Sequence, residues 1–497
     1  MLKITTANKP LAKIKTDFIA VYHLSEKNNL NSVQNSLDQQ LLKLVKNKIK
    51  QTGYKGEKAG ENLLVENCSS NQTKYIFIVS LGKEKDFNSH YLREAAGLTL
   101  QTAKKLHCQN LAVEAPSLDS LPPIQTIQAL TEGLLLADYS FDKYKKNKSK
   151  SKLKEAVVAT NKHSAQIVKT GIKLGKIYSQ AQNTARNLVN EPPQFLYPKT
   201  LADIAKQISQ KSSYISVKIF NRKQIEKMGM GAFLAVDQGS DKDPFFIHLT
   251  YTPPQPAKNK IVLVGKSITF DSGGLSLKPS DAMLNMKMDM AGGAAVLGVF
   301  SVLNKLKPNT EIHGLLPACE NMPSGKAIKV GDVIRASDGT HIEIANTDAE
   351  GRLTLADALT YARKLKPDFI IDLATLTGAA IVALGDDIAA LMSNNKPLED
   401  RLKQASDLSG EKIWPLPLPT EYKSHIKSKI ADIKNVGKRG SAGTISAGLF
   451  LEHFVKNSNW AHLDIAGPAW IEQPEVSYLP PGGSGFGARL LLTLINS

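Results

Sequence analysis

Asp348 and Glu350 stand one residue apart in Asn346-Thr-Asp-Ala-Glu-Gly-Arg-Leu353, followed by a glycine and an arginine that opens a helix-like run. In an extended segment alternate side chains face the same way, so the two carboxylates are expected to converge on one point. Gly351 is expected to permit a sharp turn and Arg352 to fall in the first turn of the next helix. Taken alone, an Asp-x-Glu pair is most simply a solvated acidic turn. Other parts of the chain raise a second reading, a grip for cations with a guanidinium beside it.

Those parts are two further loops. Ile261 to Gly274 is an apolar strand running into a glycine-rich loop that carries Lys266 and Asp271, with Lys278 four residues beyond. Lys287-Met-Asp289 follows, and from Met290 a run of small residues opens a helix. Four carboxylates (Asp271, Asp289, Asp348, Glu350) brought together without compensation would repel until some protonate. Two divalent cations balance that formal charge. Oxygen-rich ligation suits Mg or Mn, and Zn where a nitrogen ligand joins. Lys266 is either that ligand, held deprotonated by a metal, or a salt-bridge partner. Such a paired site activates a water and polarises a carbonyl. Lys278 and Arg352 would then stabilise the developing oxyanion and position anions.

The elements that must hold these loops follow from periodicity. Asp17 to Leu24, Lys74 to Leu81, Leu111 to Glu114 and Ala156 to Thr160 read as strands, with helices over Val33–Ile49 and Leu92–Leu106. A long helix over Ser164–Val189 stops at Asn190-Glu-Pro-Pro193. Beyond it, strands at Ser216–Asn221, Pro244–Tyr251, Lys260–Gly265, Ile312–Ala318 and Asp368–Leu373 alternate with helices at Ala291–Leu306 and Arg352–Leu365. The expected fold class is α/β in two domains: a smaller N-terminal α/β domain and a larger C-terminal, mostly parallel sheet flanked by helices. The boundaries expected are residues 1–162 for an assembly or regulatory domain, 163–190 for a connecting helix and 191–497 for the catalytic domain. In such sheets ligands bind where strands end in loops, which is where the charged residues lie.

Composition narrows the class. At 497 residues, 42% hydrophobic and 22% charged, the chain is that of a soluble globular protein. No apolar run approaches the ~18 residues of a membrane span, and the N-terminus lacks the pattern of a secretory signal. Cys68, Cys108 and Cys319 are odd in number and far apart, so buried thiols in a reducing cytoplasm are expected rather than a disulfide framework. Residues 1–162 hold 25 Lys+Arg against 15 Asp+Glu, a net +10 of the chain's +17. Seven lysines fall within residues 143–154. That run is expected to be a solvated loop, with contact to phosphates as the alternative.

The motifs resemble those of the M17 leucyl (cytosol) aminopeptidases. Asn346–Leu353 reproduces the signature octapeptide, and around it stand Val264–Gly274, Cys319–Gly325, Asp372–Ala379, Ala431–Gly437, Gly448–Phe454 and Trp460–Gly467. The resemblance runs from about Arg186 to the end and is weak over residues 1–162. It implies a two-metal exopeptidase that removes the N-terminal residue of peptides, preferably leucine or another apolar residue, in cytoplasmic peptide turnover. One metal (Mn or Zn, with Mg admitted) would be held by Asp271, Asp348 and Glu350. The second would be held by Lys266, Asp271, Asp289 and Glu350 and would take the substrate's free amine. Lys278 would polarise the scissile carbonyl, and Arg352 would hold a bicarbonate acting as general base. Met286, Thr375 and Gly378 would line the pocket for the first side chain, although Met286 read by itself is a core residue. A homohexamer is implied, with no membrane partner expected from the composition, and an added DNA-binding role through the basic N-terminal domain is the alternative. Ser267, beside Lys266, departs from the glycine or alanine usual in the family.

Overall fold

The computed structural model describes residues 2–25, 31–67, 73–148, 151–160 and 163–496. Cys68 and Lys150 of the lysine run lie outside the described residues. Cys108 and Cys319 are free, buried thiols. The chain divides into two compact units: residues 1–179 with 408–410 and 473–480, and residues 180–407 with 411–472 and 481–497. The partition falls within the helix Ala165–Asn190.

In the first unit, strands β1 (Lys3–Ala7), β2 (Phe18–His23), β3 (Asn62–Glu66), β4 (Tyr75–Ser80), β5 (Asn110–Glu114) and β6 (Glu155–Ala159) form one sheet in the order β1-β6-β5-β2-β4-β3. Every pair is parallel except β3 with β4. Both faces are covered: Leu41, Val45, Ile76 and Ile78 pack on one side, and Leu92, Leu100, Leu130 and Leu134 on the other. This explains why β2 and β4 are almost entirely apolar. The helix expected over Val33–Ile49 is two helices, Asn31–Ser36 and Gln39–Thr52. Asp38 separates them, because its side chain accepts from Leu41 N–H at 2.9 Å and caps the second. The lysine run is exposed at Lys143, Lys145, Lys146, Lys148, Lys152 and Lys154, while Leu153 is buried.

The second unit contains β7 (Ile215–Phe220), β8 (Phe245–Tyr251), β9 (Asn259–Gly265), β10 (Ser267–Asp271), β11 (Thr310–Asn321), β12 (Val333–Arg335), β13 (His341–Glu343), β14 (Phe369–Ala374), β15 (Ala389–Ser393), β16 (Ile413–Pro415), β17 (Ile433–Lys434) and β18 (Trp460–Asp464). The main sheet runs β16-β15-β18-β14-β9-β11-β8-β7, with β10 added beside β11. Its centre, β18-β14-β9-β11, is parallel, and its margins turn antiparallel at β15 and β8. Val262 and Val264 of β9 pack with Leu355, Ala356 and Leu359 of the helix Gly351–Lys364. The helix Ala291–Phe300 contacts β9, β11 and β14, and Phe300 and Val296 lie where a Cβ on Gly314 would have to go. From β9 the chain crosses first to β11 on one side and later to β14 on the other, so strand order reverses between β9 and β14. Crevices for ligands open at such switch points.

Two expectations change here. The segment after β9 is a second strand, β10, whose register with β11 shifts between Ile268 and Asp271. The glycine-rich loop begins only at Ser272. The segment Ser280–Leu306 is long and apolar enough to cross a membrane by length and composition, against the expectation that no such run exists. It is nevertheless broken into short helical pieces and largely buried within this unit, as a core segment is.

Candidate metal centre

Lys266 sits between β9 and β10 at the reversal point. Its N–H donates to Leu373 O at 3.0 Å, and its Nζ donates to Thr375 O at 3.0 Å, tying it to the end of β14. The ammonium also meets Asp289 Oδ1 at 2.8 Å and Glu350 Oε1 at 2.9 Å. Its access depends on a glycine. A Cβ on Gly351 would lie 2.5 Å from Lys266 Cε and 2.6 Å from Nζ. Gly351 therefore serves close approach, not the sharp turn expected of it, and it is the first residue of a regular helix.

Asp271 ends β10. Its Oδ1 accepts from Gly273 N–H at 2.9 Å and from Asn321 Nδ2 at 2.8 Å, and its Oδ2 meets Lys278 Nζ at 2.9 Å. Lys278 also pairs with Asp348. The loop folds back because Gly273 takes φ +85°, and a Cβ there would lie 2.5 Å from Ser276 O.

Asp348 and Glu350 do converge, but not by strand alternation. β13 ends at Glu343, Asp348 lies in a turn, and Glu350 is already helical (φ −83°, ψ −34°) as it caps the helix Gly351–Lys364. The turn is braced by Thr347, whose hydroxyl donates to Gly273 O at 2.7 Å and accepts from Ser276 N–H at 2.7 Å. One carboxylate oxygen from each of Asp271, Asp348 and Glu350 falls within 4.8 Å of the others. Asp289 stands one step away, joined through Lys266. Thr375 Oγ1 donates to its Oδ1 at 2.8 Å.

All ten residues singled out from the sequence line one cavity of about 850 Å³: Lys266, Asp271, Lys278, Met286, Asp289, Asp348, Glu350, Arg352, Thr375 and Gly378. Met286 is half-buried in a 3-10 turn and Gly378 is exposed, so neither is core. Thr375 has a place the sequence did not suggest, since its carbonyl and hydroxyl hold Lys266 and Asp289. Ser267 donates to Gly265 O at 2.8 Å and leaves no room for a side chain at Gly293, where a Cβ would lie 2.1 Å from its Oγ.

Burial and crowding set the charge states. Burial, then repulsion by Asp271, pushes the Asp348 and Glu350 carboxyls above the usual carboxylate range. Burial pushes Asp289 well above it. Burial alone would lower Lys266 and Lys278, but the adjoining carboxylates outweigh it and raise both. Burial lowers Arg352 to about 10.

The donor set tests whether cations fit. Asp289 Oδ2 and Glu350 Oε2 are buried without a hydrogen-bond partner, which is costly unless a cation takes them. Hard oxygen donors on three converging carboxylates, a fourth acid nearby and a lysine amine match an oxygen-rich paired site. The residues fit.

Two amides were missed in the sequence. Asn321 bridges Asp271 Oδ1 and Thr347 O, at 2.8 and 3.1 Å. Asn435 accepts from Ala345 N–H at 2.9 Å through Oδ1, and its Nδ2 donates to Asn346 O at 2.6 Å. Both lie within the quoted motifs, but a lone asparagine has no periodicity or charge pattern to mark it.

The catalytic-domain profile of the cytosol aminopeptidase family (M17) matches residues 183–492, and its N-terminal-domain profile matches residues 19–148. A probable cytosol aminopeptidase of Sulfurihydrogenibium sp. is 41% identical, over 99% of this chain and 97% of its own. One from Aquifex aeolicus is 44% identical over 89% and 88%. Among solved structures, a mutant of tomato leucine aminopeptidase superposes with a TM-score of 0.89 at 33% identity, covering 100% of this chain and 96% of its own. The bottromycin maturation enzyme BotP in complex with Mn gives 0.84 at 32%, covering 97% and 99%.

Proposed function

The chain belongs to the cytosol aminopeptidase family and is an aminopeptidase, and from this premise we propose that it works with two divalent cations and prefers leucine or another apolar residue at the peptide N-terminus. The observation that carries the metal reading is the convergence of Asp271, Asp348 and Glu350 within 4.8 Å, beside two buried carboxylate oxygens that lack partners. Following the resemblance, Asp271, Asp348 and Glu350 would hold one cation, and Lys266, Asp271, Asp289 and Glu350 the other. Mn is favoured by the oxygen donors and by the Mn named for BotP, and Zn is the competitor.

When bound, the cations would activate a water and polarise the scissile carbonyl, and on the family resemblance Arg352 would hold a bicarbonate as the base. The chain's own residues do the rest. Lys278, a half-buried ammonium beside Asp271 and Asp348, stabilises the oxyanion that forms on the carbonyl. Lys266 would supply the nitrogen donor, giving up its ammonium proton and its contacts to Asp289 and Glu350 where those acids hold a cation. Arg352 is held by Asn435 O at 2.8 Å and has a buried, unpartnered Nε, a place for an anion. Met286, Thr375 and Gly378, with Leu376 and Ile381, form the slot for the first side chain. We further propose a homohexamer in the cytosol that degrades small peptides, on the family resemblance and the family's description as cytosol aminopeptidases.

The test is hydrolysis of a leucyl amide before and after exhaustive chelation, then with Mn, Zn or Mg restored. Activity is expected to vanish on chelation and return with Mn or Zn. Full activity after chelation would rule out the two-cation reading.

A further inference from the structure

Residues 436–443 run along the cavity, which Val436, Gly437, Lys438, Arg439 and Gly443 line. At one end Asn435 grips the turn that presents Asp348 and Glu350, through Ala345 N–H and Asn346 O. At the other end Gly443 packs against the apolar slot, where a Cβ on it would lie 3.0 Å from Ala379 Cβ, next to Gly378. Between these anchors the chain makes a turn closed by Ser441 N–H donating to Lys438 O at 3.2 Å, with Gly440 at φ +72° and Ala442 at φ +49°. Lys438 and Arg439 are carried on that turn. Both line the cavity and both are exposed. Among the described residues neither forms an ion pair.

Lys438 and Arg439 have no acid of the cavity as partner, because each of its four acids is paired with another lysine. Lys266 and Lys278 take Asp271, Asp289, Asp348 and Glu350. A peptide whose first residue fills the slot, as in the function proposed above, must send the rest of its chain past the scissile bond. Lys438 follows Asn435 by three residues, a reach of at most ~11 Å. The terminal carboxylate of an extended dipeptide or tripeptide lies ~3.5–7 Å beyond the scissile bond, a distance of the same order.

We propose that Lys438 and Arg439 form a carboxylate-recognising rim, selecting peptide substrates that carry a carboxylate one or two residues past the scissile bond. The carboxylate has two sources, the C-terminus of a short peptide or an acidic side chain. This inference rests on the substrate orientation of the proposed function. The two cations act by charge at an exposed site, so the selection is modest and sensitive to salt.

The experiment compares kcat/KM within two pairs of peptides: Leu-Gly-Gly with Leu-Gly-Gly-amide, and Leu-Gly-Asp-amide with Leu-Gly-Asn-amide. Each is run on the full chain, on the double variant K438A/R439A and on the charge-keeping variant K438R/R439K. The charged member of at least one pair is expected to win by about three- to tenfold at low salt. A preference in the first pair identifies the C-terminus as the source, and in the second pair the side chain. The ratio should fall toward one in K438A/R439A and at high salt, and persist in K438R/R439K. Equal rates within both pairs for the unaltered protein overturn the proposal, as does a preference that survives in K438A/R439A. Failure to hydrolyse any of the four peptides would instead overturn the proposed function.

Discussion

Arg352 Nη1 donates to the backbone carbonyl of Asn435 at 2.8 Å, and the side chain of that asparagine clasps the turn carrying Asp348 and Glu350. One residue thus fixes the guanidinium and two carboxylates relative to each other. Replacing it should loosen all three without removing a charged group. Asn435→Ala is expected to lower kcat on a leucyl amide by about ten- to hundredfold, the scale for supporting residues of metal sites. Circular dichroism and the thermal midpoint should show a folded protein. Unchanged kcat would mean that the clasp does not position the site.

Lys278 meets Asp271 Oδ2 at 2.9 Å and pairs with Asp348, yet its proposed work is on the substrate. Lys278→Ala is expected to retain its bound metal while losing about a hundred- to thousandfold in kcat, the scale for an oxyanion donor. Elemental analysis beside steady-state kinetics separates the two readings. Loss of metal from this variant would make Lys278 a structural counter-ion of the acids.

Away from the cavity, His248 and His313 share a hydrogen bond of 2.9 Å, and His313 continues to Glu311 at 2.9 Å. Burial, then His313 and Lys218, hold His248 down to about 4. A histidine lowered in the folded state is neutral there but protonates on unfolding near 6.5. Its stabilisation is present above that value and is lost as pH falls from 6.5 toward 4, by roughly 3 kcal/mol in all. His248→Gln, compared with the unaltered protein by calorimetry at pH 7 and pH 5, should therefore show a smaller fall in midpoint over that interval. An identical fall in both proteins would contradict the assignment.

What could be read from the sequence follows from the kind of signal each feature leaves. The central strands β9 and β14 are apolar runs because both faces are covered, and the acids after them are conspicuous by charge. The helix Pro123–Ala137 leaves no signal in the periodicity, because it is buried on nearly every side and shows no polar stripe at helical spacing. β1 and β3 are short strands at the two edges of their sheet. At the site, the sequence pairs Asp348 with Glu350 by strand alternation, whereas a turn and a helix start bring them together. Gly351 was read as a turn residue, and only the packing of Lys266 against it reveals its use. Asn321, Asn435 and the two polar groups of Thr375 act through individual hydrogen-bond contacts made in the folded chain, which no spacing rule encodes.

On the proposed function the four acids Asp271, Asp289, Asp348 and Glu350 would hold two cations, with Asp271 and Glu350 shared between the two. Counting metal per chain by elemental analysis, after dialysis of the metal-stripped protein against excess Mn and removal of free ion, tests it most directly. The account predicts about two Mn per chain, with the count reduced in Glu350→Gln because both sites share that side chain. A single Mn per chain, or a Glu350→Gln variant that still holds two with equal affinity, would contradict it.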